Sequence, residues 1–276
     1  MLALLILTPL AFGVADYFAG RMSTRVNPWG VVGTTCAVST VGSLIATLLY
    51  RDVDLEPEVL LLGALAGVLL MAGQALLYSA LARGSGGVVG AIVSLSVIVP
   101  VVSDALRGKL PSWPTLLGIL AIVVGAIVIS QPGSARQVSR SVLLLAGGAA
   151  LMLGLQYLAL GRGSHISSAA AVTGQFAAAT LIVLVMGLVT RSWGGITRRD
   201  APQLLGIGIA FLVGSLAFSA ALDLVNVAIA SAFLNTEPLV LALCGYLFLK
   251  EKLTVSQQVA LFVVVAGAVT AVCFRG

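Results

Sequence analysis

Apolar runs of about twenty residues recur ten times along this chain, and that recurrence constrains its fold more than any motif does. The runs lie near residues 2–20, 29–50, 59–82, 87–106, 114–130, 141–160, 167–190, 202–222, 227–249 and 254–273, parted by charged or Gly/Pro-rich breaks. A helix needs roughly 20 apolar residues to cross about 30 Å of hydrocarbon. Strands of a membrane barrel would alternate apolar and polar residues. These runs do not alternate, so helices are expected. Of the 276 residues, 59% are apolar and only 9% are charged. A soluble domain carries about 25% charged residues, so this chain has too little polar surface to fold in water. Its longest polar segments, 51–58 and 191–200, are too short to fold alone. The expectation is an all-α integral membrane protein with ten transmembrane helices, multi-pass in the inner (plasma) membrane. A cleaved signal peptide is not expected, because the first run carries Asp16 and continues into a pattern repeated later.

The repeat is internal. Residues 1–130 resemble residues 141–273 at an offset near 140. "ADYFAGR" (15–21) lies over "LQYLALGR" (155–162), and "GQALLYSAL" (73–81) over "GSLAFSAAL" (214–222). "VVGAIVSLSVIVP" (88–100) lies over "NVAIASAFLNTEP" (226–238), and 108–129 over 251–272. The domains are then 1–130 and 141–276, two five-helix repeats joined by a linker at 131–140. Five is odd, so the second repeat enters the membrane in the opposite sense. Such inverted repeats are common in secondary transporters, where two halves rock about a shared central site. Channels carry them too.

The charges are placed as a membrane demands. The net charge of +5 would suggest nucleic acid for a soluble protein. Here every Lys and Arg lies at or beyond the end of a run, where it anchors to headgroups. No nucleic-acid partner is expected. Cys36, Cys244 and Cys273 all fall in apolar stretches and read as small buried hydrophobes. His165 is the sole histidine and sits in a short loop, so no metal centre is expected, and no motif calls for a cofactor. Gly63 and Gly67, and Gly86 and Gly90, have the four-residue spacing that lets helices approach closely in a bilayer.

Two acids lie inside the runs, Asp16 and Glu237, and Asp104 falls within a turn of a helix end. A charge at the bilayer centre costs roughly 2.5–3.5 kcal/mol on insertion scales, so such groups face a cavity or a partner. Asp16 has no basic partner in sequence reach. A buried carboxyl of raised pKa could exchange a proton for a cation. Its repeat mate, Gln156, cannot titrate, so coupling would rest on one half. Glu237 precedes Pro238, and the proline deprives the Leu234 carbonyl of its helical partner. Asn235 and Thr236 cluster at that break. Pro100 repeats it in the first half and frees the carbonyl of Ser96, with Ser94 nearby. Gln74 and Ser215 are repeat-equivalent, as are Tyr17 and Tyr157, and Tyr78 lies one turn on from Gln74. These polar groups either line a cavity or, for the tyrosines, anchor at the interface. Gln175, Thr173 and Asn226 are weaker candidates. The interior thus carries acids and neutral dipoles but no base, which favours protons, cations or zwitterions over anions.

At these residues the chain resembles the EamA family of the drug/metabolite transporter superfamily. The segment "EPLVLALCGYLFLKEKLTVSQQVALFVVVAGAV" (237–269) carries the likeness: a proline, an apolar helix, a short basic-acidic-basic turn with Glu251, and a Gly-containing last helix. The first half departs from this pattern. Pro100 to Lys109 is five residues shorter than Pro238 to Lys252, with no acid before Leu110. The first run, "AFGVADYFAG" (11–20), also resembles the opening helix of small multidrug-resistance transporters, whose acid binds protons and cations alternately, and Asp16 falls at about that place. The resemblance covers almost the whole chain and implies both termini inside.

Counting charge points the other way. With the amino terminus inside, the inside loops would hold 5 Lys and Arg and the outside loops 10. The positive-inside rule then favours both termini outside. The functional reading is a secondary transporter, an exporter of small metabolites or of drug-like cations and zwitterions such as amino acids. It would work by alternating access, with protons as the candidate coupling ion. The site is expected near the midplane, between spans 1, 3 and 4 and their mates 6, 8 and 9. Its partners are a small-molecule substrate and the lipid bilayer. An uncoupled facilitator or channel of the same fold is the alternative. An intramembrane enzyme fits poorly, since no Lys or His lies within a span and the acids form no protease motif.

Overall fold

The computed structural model describes residues 2–49, 56–81, 83, 86–108, 111–130, 139–190, 196–249 and 254–273. Among these residues every regular element is helical, and helix fills each of the ten apolar stretches. In order these are α1 (Leu2–Ser23), α2 (Pro28–Leu49), α3 (Pro57–Leu81), α4 (Gly86–Val93), a 3-10 turn (Ser94–Val97), α5 (Ile98–Leu106), α6 (Trp113–Ser130), α7 (Arg140–Ser164), α8 (Ser168–Thr190), α9 (Ala201–Leu222), α10 (Val227–Leu234), α11 (Glu237–Leu249) and α12 (Val255–Cys273). By length and composition six of them, α1, α2, α3, α7, α8 and α9, can each cross a membrane unaided. The stretches 94–106, 113–128 and 258–271 are shorter and equally apolar.

Two stretches are broken helices, and both prolines lie in the first turn of the downstream piece. For Pro238, which follows the turn at Asn235 and Thr236, the missing N–H had no helical partner to lose. The fourth stretch passes from α4 through the 3-10 turn to α5, and the ninth passes from α10 to α11 through Asn235 and Thr236. Helix α5 is also shorter than α11, 9 residues against 13. Gly108 closes α5 with φ +69°, a left-handed conformation that favours glycine. Its N–H bonds the Ala105 carbonyl at 3.0 Å. Lys109, Glu251 and linker residues 131–138 lie outside the described residues.

The chain forms two compact units, residues 1–71 with 159–224 and residues 72–158 with 225–276. Each draws helices from both sequence repeats. In the first unit α1 runs antiparallel to α9. Phe12 faces Gly214 and Phe211, and Met22, Val26 and Val31 pack on Leu204 and Ile207. Helix α2 runs antiparallel to α8, joined by hydroxyl pairs Thr40–Thr180 at 2.9 Å and Thr47–Thr173 at 3.0 Å. Helix α9 presses Gly208 onto α2, where a Cβ would lie 2.6 Å from Val38 and 3.0 Å from the Thr35 carbonyl. Helix α3 presses Gly63 and Gly67 onto the Ala171 and Gln175 carbonyls of α8. Close packing is therefore what the Gly63 and Gly67 spacing serves. In the repeat register Gly67 lies over Gly208, and residues 175–178 lie over 35–38, so one contact recurs with its partners exchanged.

In the second unit α6 runs antiparallel to α12. A Cβ at Gly118 would lie 2.6 Å from the Gly267 carbonyl, while Gly125 meets Val264 and Ala260. Helix α10 packs on α5 and on the 3-10 turn, so the two broken helices touch. A Cβ on α3 at Gly73 would lie 2.8 Å from Leu153 of α7. The repeat mate of Gly73, Gly214, meets Phe12 in the first unit. Asn226, expected as a weak cavity candidate, instead caps α10, its Oδ1 accepting from the Ile229 N–H at 3.1 Å. Of the cysteines, Cys36 and Cys244 are buried as expected, whereas Cys273 is exposed.

Two measurements check this packing. Gly208→Ala should lower stability in detergent by about 1–3 kcal/mol through overpacking. Gly206→Ala, two residues away, meets nothing within 4 Å and should leave stability equal or raised. Equal effects of the two variants would contradict the close α2–α9 approach. Asn226→Ala should cost about 1 kcal/mol by loss of the cap and leave solute affinity unchanged. An affinity change without a stability change would return Asn226 to the cavity.

Candidate functional site

The strongest polar grouping in the second unit forms around the broken helices. Three separate elements supply it. The 3-10 turn contributes Ser96, α7 contributes Tyr157, and the first turn of α11 contributes Glu237. Tyr157 is buried, and its hydroxyl shares its surroundings with the Ser96 side chain and the Glu237 carboxylate. Gly154, one turn before Tyr157's neighbours, lets the α7 backbone approach this turn. A Cβ at Gly154 would lie 2.6 Å from the Ser96 carbonyl and from Val99. Gln156 is buried beside Tyr157 in sequence. A carboxylate in the first turn of α11 also sits in the favourable field of that helix's amino end.

The carbonyls at the end of α10 are satisfied locally. The Ser231 carbonyl accepts from the Asn235 N–H at 3.1 Å and from its Nδ2 at 3.2 Å. The Phe233 carbonyl accepts from the Thr236 N–H at 2.9 Å and from its Oγ1 at 2.7 Å. One N–H of the Asn235 side-chain amide is thus given to the backbone. In the first break Ser94 Oγ donates to the Gly90 carbonyl at 2.9 Å, so it too serves the backbone.

The other candidates are spread more widely. Gln74 is half-buried on α3, while Tyr78 on the same helix is 39% exposed, which suits an interface anchor better than a cavity wall. Asp16, Tyr17 and Ser215 belong to the first unit. Asp16 is half-buried on α1, and Ser215 is buried on α9. Tyr17 is buried, with the Arg21 guanidinium 6.0 Å from its ring centre. Thr173 bonds Thr47 and the Ala169 carbonyl, and Gln175 lends its backbone to the Gly67 contact, so both read as packing residues.

Two polar clusters were missed from the sequence. Ser164 and Ser219 share a hydroxyl contact where α7 and α9 meet, and Ser219 donates to the Ser168 carbonyl at 3.2 Å. Beside them His165 Nδ1 lies 3.9 Å from an Asp223 carboxylate oxygen, both exposed. The threonine pairs between α2 and α8 are the other case. Their signal was present, because Thr40 and Thr180 are repeat mates.

Comparisons with known proteins agree with this fold. Residues 1–131 and 140–273 each match the EamA-like transporter family. "Uncharacterized protein MJ1333.1" of Methanocaldococcus jannaschii is 30% identical over 133 residues, which cover 45% of this chain and 92% of that protein. A solved crystal structure has the same fold at a TM-score of 0.81 and 15% identity, covering 98% of this chain and 97% of the other. With both parts of the chain matched, this multi-pass membrane protein belongs to the EamA-like transporter family of the drug/metabolite transporter superfamily.

Proposed function

We propose that this chain is a secondary active transporter that exports small cationic or zwitterionic metabolites by alternating access, with ten membrane helices in two inverted five-helix repeats. The observation that carries the reading is the meeting of Glu237, Tyr157 and Ser96 at the paired helix breaks. A solute ammonium would pair with the Glu237 carboxylate. A solute carboxylate or amide would accept from the Tyr157 and Ser96 hydroxyls. Discontinuous helices supply such sites in other secondary transporters.

The inverted repeat draws support from the pairing of repeat mates. Mates α2 and α8 run antiparallel, as do mates α6 and α12, and the two broken helices pack on one another. A half that enters the membrane in the opposite sense requires such antiparallel mates. The relative from Methanocaldococcus jannaschii, spanned almost entirely by 45% of this chain, is about one repeat long.

Asp16 is the proposed proton site. Its repeat mate Gln156 cannot titrate, so coupling rests on the first half alone. Exchange of a proton for a cation would drive export down the proton gradient. A facilitator of the same fold would bind the same solutes without this coupling.

Two variants test the proposal. Glu237→Gln removes a charge-assisted hydrogen bond worth about 1.5–3 kcal/mol, so affinity for cationic and zwitterionic solutes should fall roughly 10- to 100-fold. Intact affinity with lowered thermal stability would instead make Glu237 a structural acid. Asp16→Asn should abolish the pH dependence of transport while the protein still folds. An unchanged pH profile in that variant would remove Asp16 from the coupling.

A further inference from the structure

The first unit has two ends of unlike charge. At one end the loop from α1 to α2 meets the segment leading into α9. Ile196 fits against Gly30, where an added Cβ would lie 3.1 Å from its side chain, and packs with Met22, Val26 and Val31. The Arg25 guanidinium acts on the Asp200 carboxylate from across that junction. Asp200 Oδ2 accepts from the Thr197 N–H at 2.9 Å and from its Oγ1 at 2.7 Å. The Thr197 hydroxyl, then its backbone N–H and more weakly Arg25, hold that carboxyl below its ordinary pKa. Arg21, Arg25, Arg198 and Arg199 are all exposed here, so among the described residues of this end four guanidiniums stand against one carboxylate. The amino ends of α2 and α9, each 22 residues long, lie at this end and add positive field. Trp29, half-buried, stands beside them as an interfacial aromatic would.

The opposite end is acidic. Gly163 of α7 packs against Val59 and Leu62 of α3, which brings Glu56 and Glu58 to the end that carries His165 and Asp223. Among the described residues of that end, Arg162 and His165 face three carboxylates. The asymmetry therefore belongs to one folded unit and does not rest on counting loops.

We propose that Arg21, Arg25, Arg198 and Arg199 form a binding surface for the phosphates of anionic phospholipid headgroups, and that this end of the unit lies in the cytoplasmic leaflet. Anionic lipid is concentrated in that leaflet. Helix α1 then runs with its amino end on the far side of the membrane, as the basic-residue count favoured and the family resemblance did not. The Arg21 side chain, laid along Tyr17, reaches headgroup depth from within the last turn of its helix.

The test uses the full chain in neutral detergent, titrated with phosphatidylglycerol, phosphatidylcholine or inorganic phosphate while thermal unfolding is followed. Phosphatidylglycerol should stabilise the protein and phosphatidylcholine should not. Each arginine near a charged surface contributes roughly fivefold in affinity. The triple variant Arg25→Gln, Arg198→Gln, Arg199→Gln should thus lose on the order of a hundredfold in apparent lipid affinity. The corresponding Arg→Lys variant should retain the preference, which separates lost charge from lost fold. Equal stabilisation by both lipids, or by phosphate alone, would overturn the lipid assignment. The side is read from Thr24→Cys in a Cys273→Ser background, since Cys36 and Cys244 are buried. An impermeant maleimide should label it only after the cells are opened. Labelling in intact cells would overturn the placement.

Discussion

Inside a bilayer the backbone has no water to bond, so every N–H and C=O must find a partner within the protein. That demand makes every regular element among the described residues helical, and it decides where polar chemistry can stand. A helix interrupted by proline must satisfy the groups it releases. At the second break Asn235 and Thr236 do so for the carbonyls of Ser231 and Phe233. At the first, the 3-10 turn carries the chain into α5, with Ser94 bonded back to Gly90. Once the backbone is satisfied, Ser96, Tyr157 and Glu237 remain grouped where the two breaks meet. The candidate site is a consequence of the breaks.

Glycine sets how closely these helices approach. Gly208 of α9 against α2 and Gly67 of α3 against α8 form one contact with its partners exchanged, and the repeat mates Gly214 and Gly73 each meet a large side chain, Phe12 and Leu153. Hydrocarbon gives helices no hydrophobic reason to associate, so close packing and hydroxyl bonds such as Thr40–Thr180 must hold them. On this matched scaffold the charges are unmatched. Asp16 stands opposite Gln156 in the repeat, and Glu237 opposite Val99. Under the proposed function, a binding acid in one half and a proton acid in the other would give the two halves different work.

Much of this was legible in the sequence, and the reasons are physical. Hydropathy marks apolar helices, so among the described residues helix lies in each apolar stretch expected from the sequence. Proline has one dominant backbone consequence, so Pro100 and Pro238 located the breaks. The pattern of 237–269 carried the family. Side-chain roles were harder, because a polar residue in an apolar run serves either a solute or the backbone. Asn226 was read as a cavity residue and caps α10. Asn235 spends its amide nitrogen on a carbonyl. The serine cluster at Ser164, Ser168 and Ser219 depends on three helices meeting, which no single segment reveals.

The central claim is that a solute and a proton exchange on this scaffold. The most direct measurement is proton release from the purified protein in weakly buffered detergent as amino acids, polyamines, lipophilic cations and dicarboxylates are added in turn. The account predicts release with a cationic or zwitterionic solute, none with dicarboxylates, and none from protein carrying Asn in place of Asp16. Binding of such a solute with no proton released, or release that persists without Asp16, would contradict it.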